Sequence, residues 1–368
     1  MTCGGAEQAL YDLCCLLDQD KFEVTVLVQY CGGIWEQKFR DAGIKVVEIW
    51  DCQRISRNPV IKLSNYLKRK RICNSLKNNA AGLIDICFPK EYDIIVSYSV
   101  WNNHHMGFSK HVRTVKYVHG DMNTYEPIKQ NILSIQDLLP KYDHIICVSD
   151  AARKSFQKMT GIMDGVETHW NPLNSCQIRK LSQKEIPISS DTPVICAVGR
   201  LAEEKGFDRL IRIHKDILDE GIPHKLVIVG DGPEKERLLE IVKQTGTKES
   251  VIMPGYTINP YPYMKNCMFL VCSSYTEGLP VVAMEALSLG VPVVSAYHSV
   301  GELFGEEICG IITNNDDKSL REGIARMLTD KDFYKMAKSG AQKRSEFFDG
   351  RKMASEIEDV FLDLVSSK

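Results

Sequence analysis

The sequence lacks most of the features that identify a protein at a glance. It has no excess of positive charge: 46 Lys and Arg stand against 48 Asp and Glu, a formal net charge of -2. A general nucleic-acid surface would show as a basic excess, so no nucleic acid is expected as partner. No uncharged apolar run reaches the roughly 18 residues of a membrane span. The longest candidate, residues 286–301, is broken by Gly290 and Pro292. No basic region precedes Glu7 and Asp12, so no secretory leader is expected. Thirteen cysteines are present, yet none are spaced Cys-x2-Cys, and the nine histidines complete no His-Glu-x-x-His or zinc-finger pattern. This reads as reduced, mostly buried thiols in a cytosolic chain without a structural zinc.

What is present is ordinary globular material. The length of 368 residues suits about two domains. The composition, 44% apolar and 26% charged, leaves no room for disorder or coiled coil as a whole-chain reading. Short Val- and Ile-rich runs recur at 24–28, 46–49, 94–97, 115–118 and 145–148. They resume at 194–198, 226–229, 251–253, 268–271, 293–295 and 311–313. Several are apolar without alternation, as parallel strands covered on both faces are. Strands alternating with helix-length stretches predict an α/β fold of two Rossmann-like, doubly wound domains facing a central cleft. The polar stretch 173–192, which contains Pro187 and is bounded by Pro172 and Pro193, reads as a linker, giving domains at 1–172 and 193–350. Helical spacing of Met353, Ile357, Val360, Phe361 and Leu364 predicts a last helix, 351–368, docking back onto the first domain.

The strongest chemical signal follows the strand 194–198. Gly199-Arg200-Leu201-Ala202-Glu203-Glu204-Lys205-Gly206-Phe207 puts a glycine turn and two cations at a strand end, where open α/β sheets bind ligands. Two cations there suit a diphosphate; capping of the next helix is the alternative. Gly230-Asp231-Gly232-Pro233 after the next strand could approach a ligand or simply turn tightly. After strand 268–271 the chain turns at Glu277-Gly278-Leu279-Pro280, and a helix begins whose free N–H groups favour an anion. Glu285, inside that helix on an apolar stretch, needs partners; sugar hydroxyls or a core cation would serve. In the first half, Gly4 and Gly5 precede a helix, and His119 and Asp121 follow a strand end. Each is open locally to a binding or a merely structural reading.

In order, the motifs GGAE, HGD, GRLAEEKGF, GDGP and EGLPVVAME resemble glycosyltransferase family 4, bacterial polysaccharide type. The resemblance implies the GT-B architecture and transfer with retention of anomeric configuration. It covers nearly the whole chain and is weakest over 45–110. It implies that Arg200 and Lys205 hold the donor diphosphate, that Glu285 binds the ribose and Glu277 the donor sugar. Gly278 and Leu279 would sit beside phosphate and sugar, Tyr256 beside the base, and Gly4 and Gly5 over the diphosphate. His119 would lie beside sugar and acceptor, with Asp121 on the acceptor side; His119, Glu277, Arg200 and Lys205 form the catalytic set. The expected reaction moves a hexose or N-acetylhexosamine from a nucleotide-diphosphate sugar, a UDP-sugar first, to a glycan acceptor, lipid-linked, in cell-surface or capsular polysaccharide synthesis. No cofactor and no metal are implied. Only three residues precede Gly4, so the first sheet would lack its opening strand, or the start of the chain is placed too late. An epimerase or phosphorylase of the same fold, or a non-catalytic sugar-nucleotide-binding subunit, is the alternative.

One charge feature is hidden by the balanced total. Residues 52–84 contain no acid and eight bases: Arg54, Arg57, Lys62, Lys68, Arg69, Lys70, Arg71 and Lys77. Without these eight the rest of the chain carries 38 bases against 48 acids. Segment 54–77 could meet an anionic membrane surface, making the enzyme peripheral on the inner face of the plasma membrane; a solvated helix face is the alternative.

Overall fold

A computed structural model describes residues 5–28, 34–48, 92–98, 112–123, 126–186 and 191–367, with positions 59–61, 63, 64, 66, 67 and 70. The chain divides into two compact units, Met1–Asn171 with Arg351–Lys368, and Pro172–Gly350.

In the first unit, α1 (Gly5–Leu16), β1 (Thr25–Val28), α2 (Ile34–Asp41) and β2 (Lys45–Glu48) come first. β1 and β2 pair in parallel with Val26 opposite Val46. β3 (Ile94–Ser97), β4 (Arg113–Val118), β5 (His144–Cys147) and β6 (Val166–Thr168) form a four-stranded parallel sheet in sequence order. Between them lie α3 (Glu126–Leu133) and α4 (Asp150–Thr160). α4 shows why such helices stop where they do. The Ser149 hydroxyl accepts from the Ala152 N–H at its start, and Gly161 closes its end in the left-handed region. β6 is a strand that the periodicity reading does not contain, because Val166-Glu167-Thr168 offers a single apolar residue rather than a Val- and Ile-rich run.

The last helix, α13 (Gly350–Ser366), packs on this unit. Its Arg351 and Glu358 pair at 2.5 Å, and Glu358 also accepts the Asp18 N–H at 2.7 Å. The Arg113 guanidinium donates to the Leu364 carbonyl at 2.9 Å, and Phe361 meets Phe22 edge to face.

The second unit is a six-stranded parallel sheet. Its strands are β7 (Val194–Val198), β8 (Lys225–Val229), β9 (Val251–Gly255), β10 (Phe269–Cys272), β11 (Val293–Ser295) and β12 (Gly310–Ile312). The spatial order is β12-β11-β10-β7-β8-β9. The chain therefore runs outward one way, returns to the middle, and runs outward the other way, which is the doubly wound arrangement. β7 and β10 are neighbours, with Ile195 opposite Phe269 and Cys196 opposite Leu270.

Its helices are α5 (Ser175–Leu181), α6 (Phe207–Asp219), α7 (Lys235–Gln244), α8 (Tyr261–Lys265), α9 (Val281–Ser288), α10 (Val300–Phe304), α11 (Asp317–Thr329) and α12 (Lys331–Ser345). α6 packs with α7 and α11, while α9 packs with α5, α8 and α12, as helices covering both faces of a sheet do. Leu210, Ile211 and Ile217 of α6 meet Ile195, Leu226 and Ile228 in one core. Truncating one such residue to alanine would cost about 2–5 kcal/mol.

α5 lies inside the stretch read from sequence as a linker. Asn174 caps it by accepting the Gln177 N–H at 3.1 Å, and it packs on α8 and α9 within the second unit. Pro172, Pro187 and Pro193 flank this helix rather than interrupt it. The proline count was therefore a poor guide to where structure stops. Among the described residues, no helix is long and apolar enough to cross a membrane.

Candidate active site

The reversal of strand order between β7 and β10 is the topological switch point, and open α/β sheets bind ligands outside the strand ends there. Two loops leave from this point, 199–206 after β7 and 273–280 after β10. They are stitched together. The Tyr275 N–H donates to the Glu204 carbonyl at 2.9 Å, and the Ser273 hydroxyl donates to the Lys205 carbonyl at 2.9 Å. Gly206 lies between them at φ +61°, and a Cβ built there would fall 2.3 Å from the Ser273 carbonyl oxygen. Only glycine permits both the backbone angle and the approach.

The side chains follow the same join. Lys205 Nζ meets Glu277 Oε1 at 2.5 Å, and the Ser274 hydroxyl donates to the same oxygen at 2.7 Å. Burial alone would pull the Lys205 pKa down, but the Glu277 carboxylate outweighs it and the net shift is upward. Arg200 pairs with Glu204 at 2.6 Å, with its side chain 53% exposed. Such an exposed pair is worth about 0–1 kcal/mol, so an incoming anion can take the guanidinium from Glu204 at little cost.

Glu285, on the second turn of α9, is buried, and Tyr261 of α8 donates its hydroxyl to Oε1 at 3.2 Å. Leu279 is buried, and α9 begins after Pro280 with no side-chain cap on its N–H groups. Tyr256 stands half-exposed just past the end of β9.

The GDGP turn has a packing explanation. Gly230 has φ +154°, and a Cβ there would sit 1.9 Å from the Gly199 carbonyl oxygen. The Asp231 carbonyl accepts the Leu201 N–H at 3.0 Å, and Leu201 in turn accepts from Glu234. This turn braces the Arg200 loop from its β8 side.

In the first unit, His119 follows β4. Its ring lies 4.6 Å from Tyr98 and stacks 5.7 Å from Tyr117. It hydrogen-bonds the Tyr98 backbone, while Nε2 is buried with no partner among the described residues. Nδ1 is then the donor and Nε2 the free acceptor. Burial, with the Lys116 charge adding, pushes its pKa down to about 4. Asp121 is buried and accepts the Asn123 N–H at 2.8 Å, so it holds its own turn. Gly5 opens α1 and is exposed. Gly4 lies outside the described residues, as do most of basic segment 54–77 and residues 99–111.

Thus Arg200, Lys205, Glu277, Gly278, Leu279 and Glu285 share one unit around one switch point, with Tyr256 past a neighbouring strand. His119, Asp121 and Gly5 belong to the other unit. Sequence reasoning did not find Ser274, Tyr261 or Glu204. Their partners are 3, 24 and 4 residues away, and only the (i, i+4) spacing of Arg200 and Glu204 was readable in advance. Among the described residues, no group of three His, Cys, Asp or Glu is placed to hold a metal ion.

A doubly wound unit with cations and carboxylates gathered at its switch point defines an α/β protein of the class that places its ligand site there. The family models make this specific. "Glycosyltransferase Family 4" matches residues 3–173, and "Glycosyl transferases group 1" matches residues 178–344. The chain belongs to glycosyltransferase family 4, has the GT-B fold and is a glycosyltransferase. One relative is the N-acetylgalactosamine-N,N'-diacetylbacillosaminyl-diphospho-undecaprenol 4-alpha-N-acetylgalactosaminyltransferase of Campylobacter jejuni. It is 27% identical over 95% of this chain and 94% of its own. The amylovoran biosynthesis glycosyltransferase AmsD of Erwinia amylovora is 40% identical, over 27% of this chain and 28% of its own. Among solved structures, HepE of Anabaena in complex with UDP-glucose matches with a TM-score of 0.75. It is 19% identical, over 98% of this chain and 97% of its own, so it speaks for the fold alone.

Proposed function

We propose that this enzyme transfers an N-acetylhexosamine or hexose, with retention, from a UDP-sugar to a lipid-linked glycan in cell-surface polysaccharide synthesis. The observation that carries the donor site is the Lys205–Glu277 contact bridging the two switch-point loops. The whole-length likeness to a transferase named for a diphospho-undecaprenol acceptor supports the acceptor class.

In this reading the donor diphosphate sits against Arg200, Lys205 and the uncapped start of α9. The bond between the anomeric carbon and the diphosphate oxygen breaks, and its electron pair leaves with the diphosphate. The cations stabilise that developing charge. The acceptor hydroxyl attacks the face the diphosphate leaves, and its proton passes to the departing phosphate oxygen. Glu277, fixed by Lys205 and Ser274, receives a sugar hydroxyl, and Glu285 with Tyr261 receives the ribose. His119 offers Nε2 as a neutral acceptor beside the sugar, Asp121 supports the acceptor side, and Tyr256 meets the base. Gly4, Gly5, Gly278 and Leu279 line the phosphate and sugar. No enzymic nucleophile and no metal are assigned.

The enzyme is peripheral on the inner membrane face in this reading. Val60, Leu63, Tyr66 and Leu67 stand exposed at helical positions within the acid-free basic segment. Apolar residues beside cations suit an anionic lipid surface.

The test is transfer from UDP-N-acetylgalactosamine, UDP-N-acetylglucosamine, UDP-glucose and UDP-galactose to a polyprenyl-diphosphate-linked glycan, with product anomers read by NMR. Lys205→Ala and Arg200→Ala together should cut kcat/KM by about 10²-fold or more, as removal of one stabilising donor does elsewhere. Undiminished transfer by the folded variant would remove the site assignment, and an inverted product would remove retention.

A further inference from the structure

Arg209 is a cation that the site described above leaves unused. It lies in the first turn of α6, 2% exposed, among Phe207, Leu210 and Ile211. Its guanidinium is committed to the loop after β10 and to the side chain of Asn315 past β12. Nε donates to the Ser273 carbonyl at 2.8 Å, and Nη2 donates to that carbonyl, to the Ser274 carbonyl at 3.1 Å and to Asn315 Oδ1 at 2.8 Å. Asn315 returns the contact, its Nδ2 donating to the Tyr275 carbonyl at 2.8 Å. The guanidinium carbon lies 4.1 Å from the centre of the Tyr275 ring. Asp317 Oδ1 stands 3.9 Å from Nη1 as counter-charge. Residues 273, 274 and 275 are thus all held by one buried side chain and its amide partner.

Ser274 is the link to the site. Its carbonyl is bound by Arg209, and its hydroxyl donates to Glu277 Oε1 at 2.7 Å, the oxygen that meets Lys205. We propose that Arg209 is a positioning residue that acts through Ser274 to set Glu277 against Lys205 and the donor sugar. This rests on the reading of Glu277 as a donor contact. The fit is specific to arginine. Its planar fork reaches two carbonyls and an amide oxygen while its face stacks on Tyr275; the single ammonium of lysine can do only part of this.

The test is a double-mutant cycle on the donor KM, with UDP-N-acetylgalactosamine or whichever UDP-sugar the panel above selects. Arg209→Lys keeps the charge and the stem. It should raise the donor KM about tenfold when Glu277 is present and less than about twofold in a Glu277→Gln chain, because residues in one network are not additive. The acceptor KM should stay within about twofold throughout. Asn315→Ala, at the rim of the clamp, should show a smaller rise with the same dependence on Glu277, and it carries the test if Arg209→Lys fails to fold. Equal factors in both backgrounds would overturn the proposal and leave Arg209 a structural residue. If Glu277→Gln alone left the donor KM unchanged, the donor-site reading would fall first and this proposal with it.

Discussion

His119 enters the physiological pH range with its imidazole already neutral. Burial beside Tyr98 and Tyr117, with the Lys116 charge below it in the strand, brings the pKa to about 4 from the usual 6.5. The direction fixes the consequence for stability. A depressed folded-state pKa gives a contribution fully present above pH 6.5 and lost as the pH falls from there through about 4. His214 in the second unit behaves in the same way. Its Nδ1 lies 2.8 Å from His224 Nε2, its Nε2 lies 2.9 Å from the Ser250 hydroxyl, and burial followed by the His224 charge lowers its pKa to about 3. Acid below pH 6.5 should therefore weaken both units. In a histidine NMR titration of the folded chain, the signal lost in His119→Gln should stay in its neutral form down to pH 5. A midpoint between 6 and 7 would contradict the burial argument and the assignment of Nε2 as a neutral acceptor.

At the scale of elements, the site depends on how closely two loops can approach. Gly206→Ala adds a Cβ 2.3 Å from the Ser273 carbonyl oxygen, at a left-handed φ. Relief requires the loops after β7 and β10 to separate, stretching the Lys205–Glu277 contact. A strained non-glycine residue of this kind costs about 1–3 kcal/mol. The variant should therefore raise the donor KM as well as lower the melting temperature; an unchanged donor KM would show that the loops need not touch. Gly206 also marks how far the sequence could be read. The strand β7, the glycine turn and the helix α6 were all visible, because local pattern specifies them. That β10 returns to lie beside β7 was visible only through the motif order, since strand order is a property of the whole sheet. Arg209 was not visible at all. Its partners lie 64, 65 and 106 residues away, and nothing in its own turn distinguishes it from a solvent-facing base. The helix α5 was not visible for a related reason: prolines mark local breaks, while the packing of α5 on α8 and α9 is a tertiary fact.

For the molecule as a whole, the near-zero net charge conceals segregation. Eight bases without an acid lie in residues 52–84, and the remainder is acidic. Attraction of such a segment to an anionic leaflet is worth about 1 kcal/mol per base near the surface. Changing Lys68, Arg69, Lys70 and Arg71 to Gln should then weaken binding by about 4 kcal/mol, close to a thousandfold. Leu63, Tyr66 and Leu67 are exposed in the same stretch, and insertion of apolar side chains adds a part that salt does not screen. Co-sedimentation with phosphatidylglycerol vesicles separates the two contributions. The unaltered chain should pellet at low salt and be largely released near about 0.5 M salt, where the screening length is only about 4 Å. Leu63→Ser with Leu67→Ser should lower binding at both salt concentrations, whereas the four-base variant should lose only the salt-sensitive part. If the unaltered chain stays in the supernatant at low salt, the basic segment is a solvated face, and the proposed lipid-linked acceptor would have to be reached without a surface that holds the enzyme beside it.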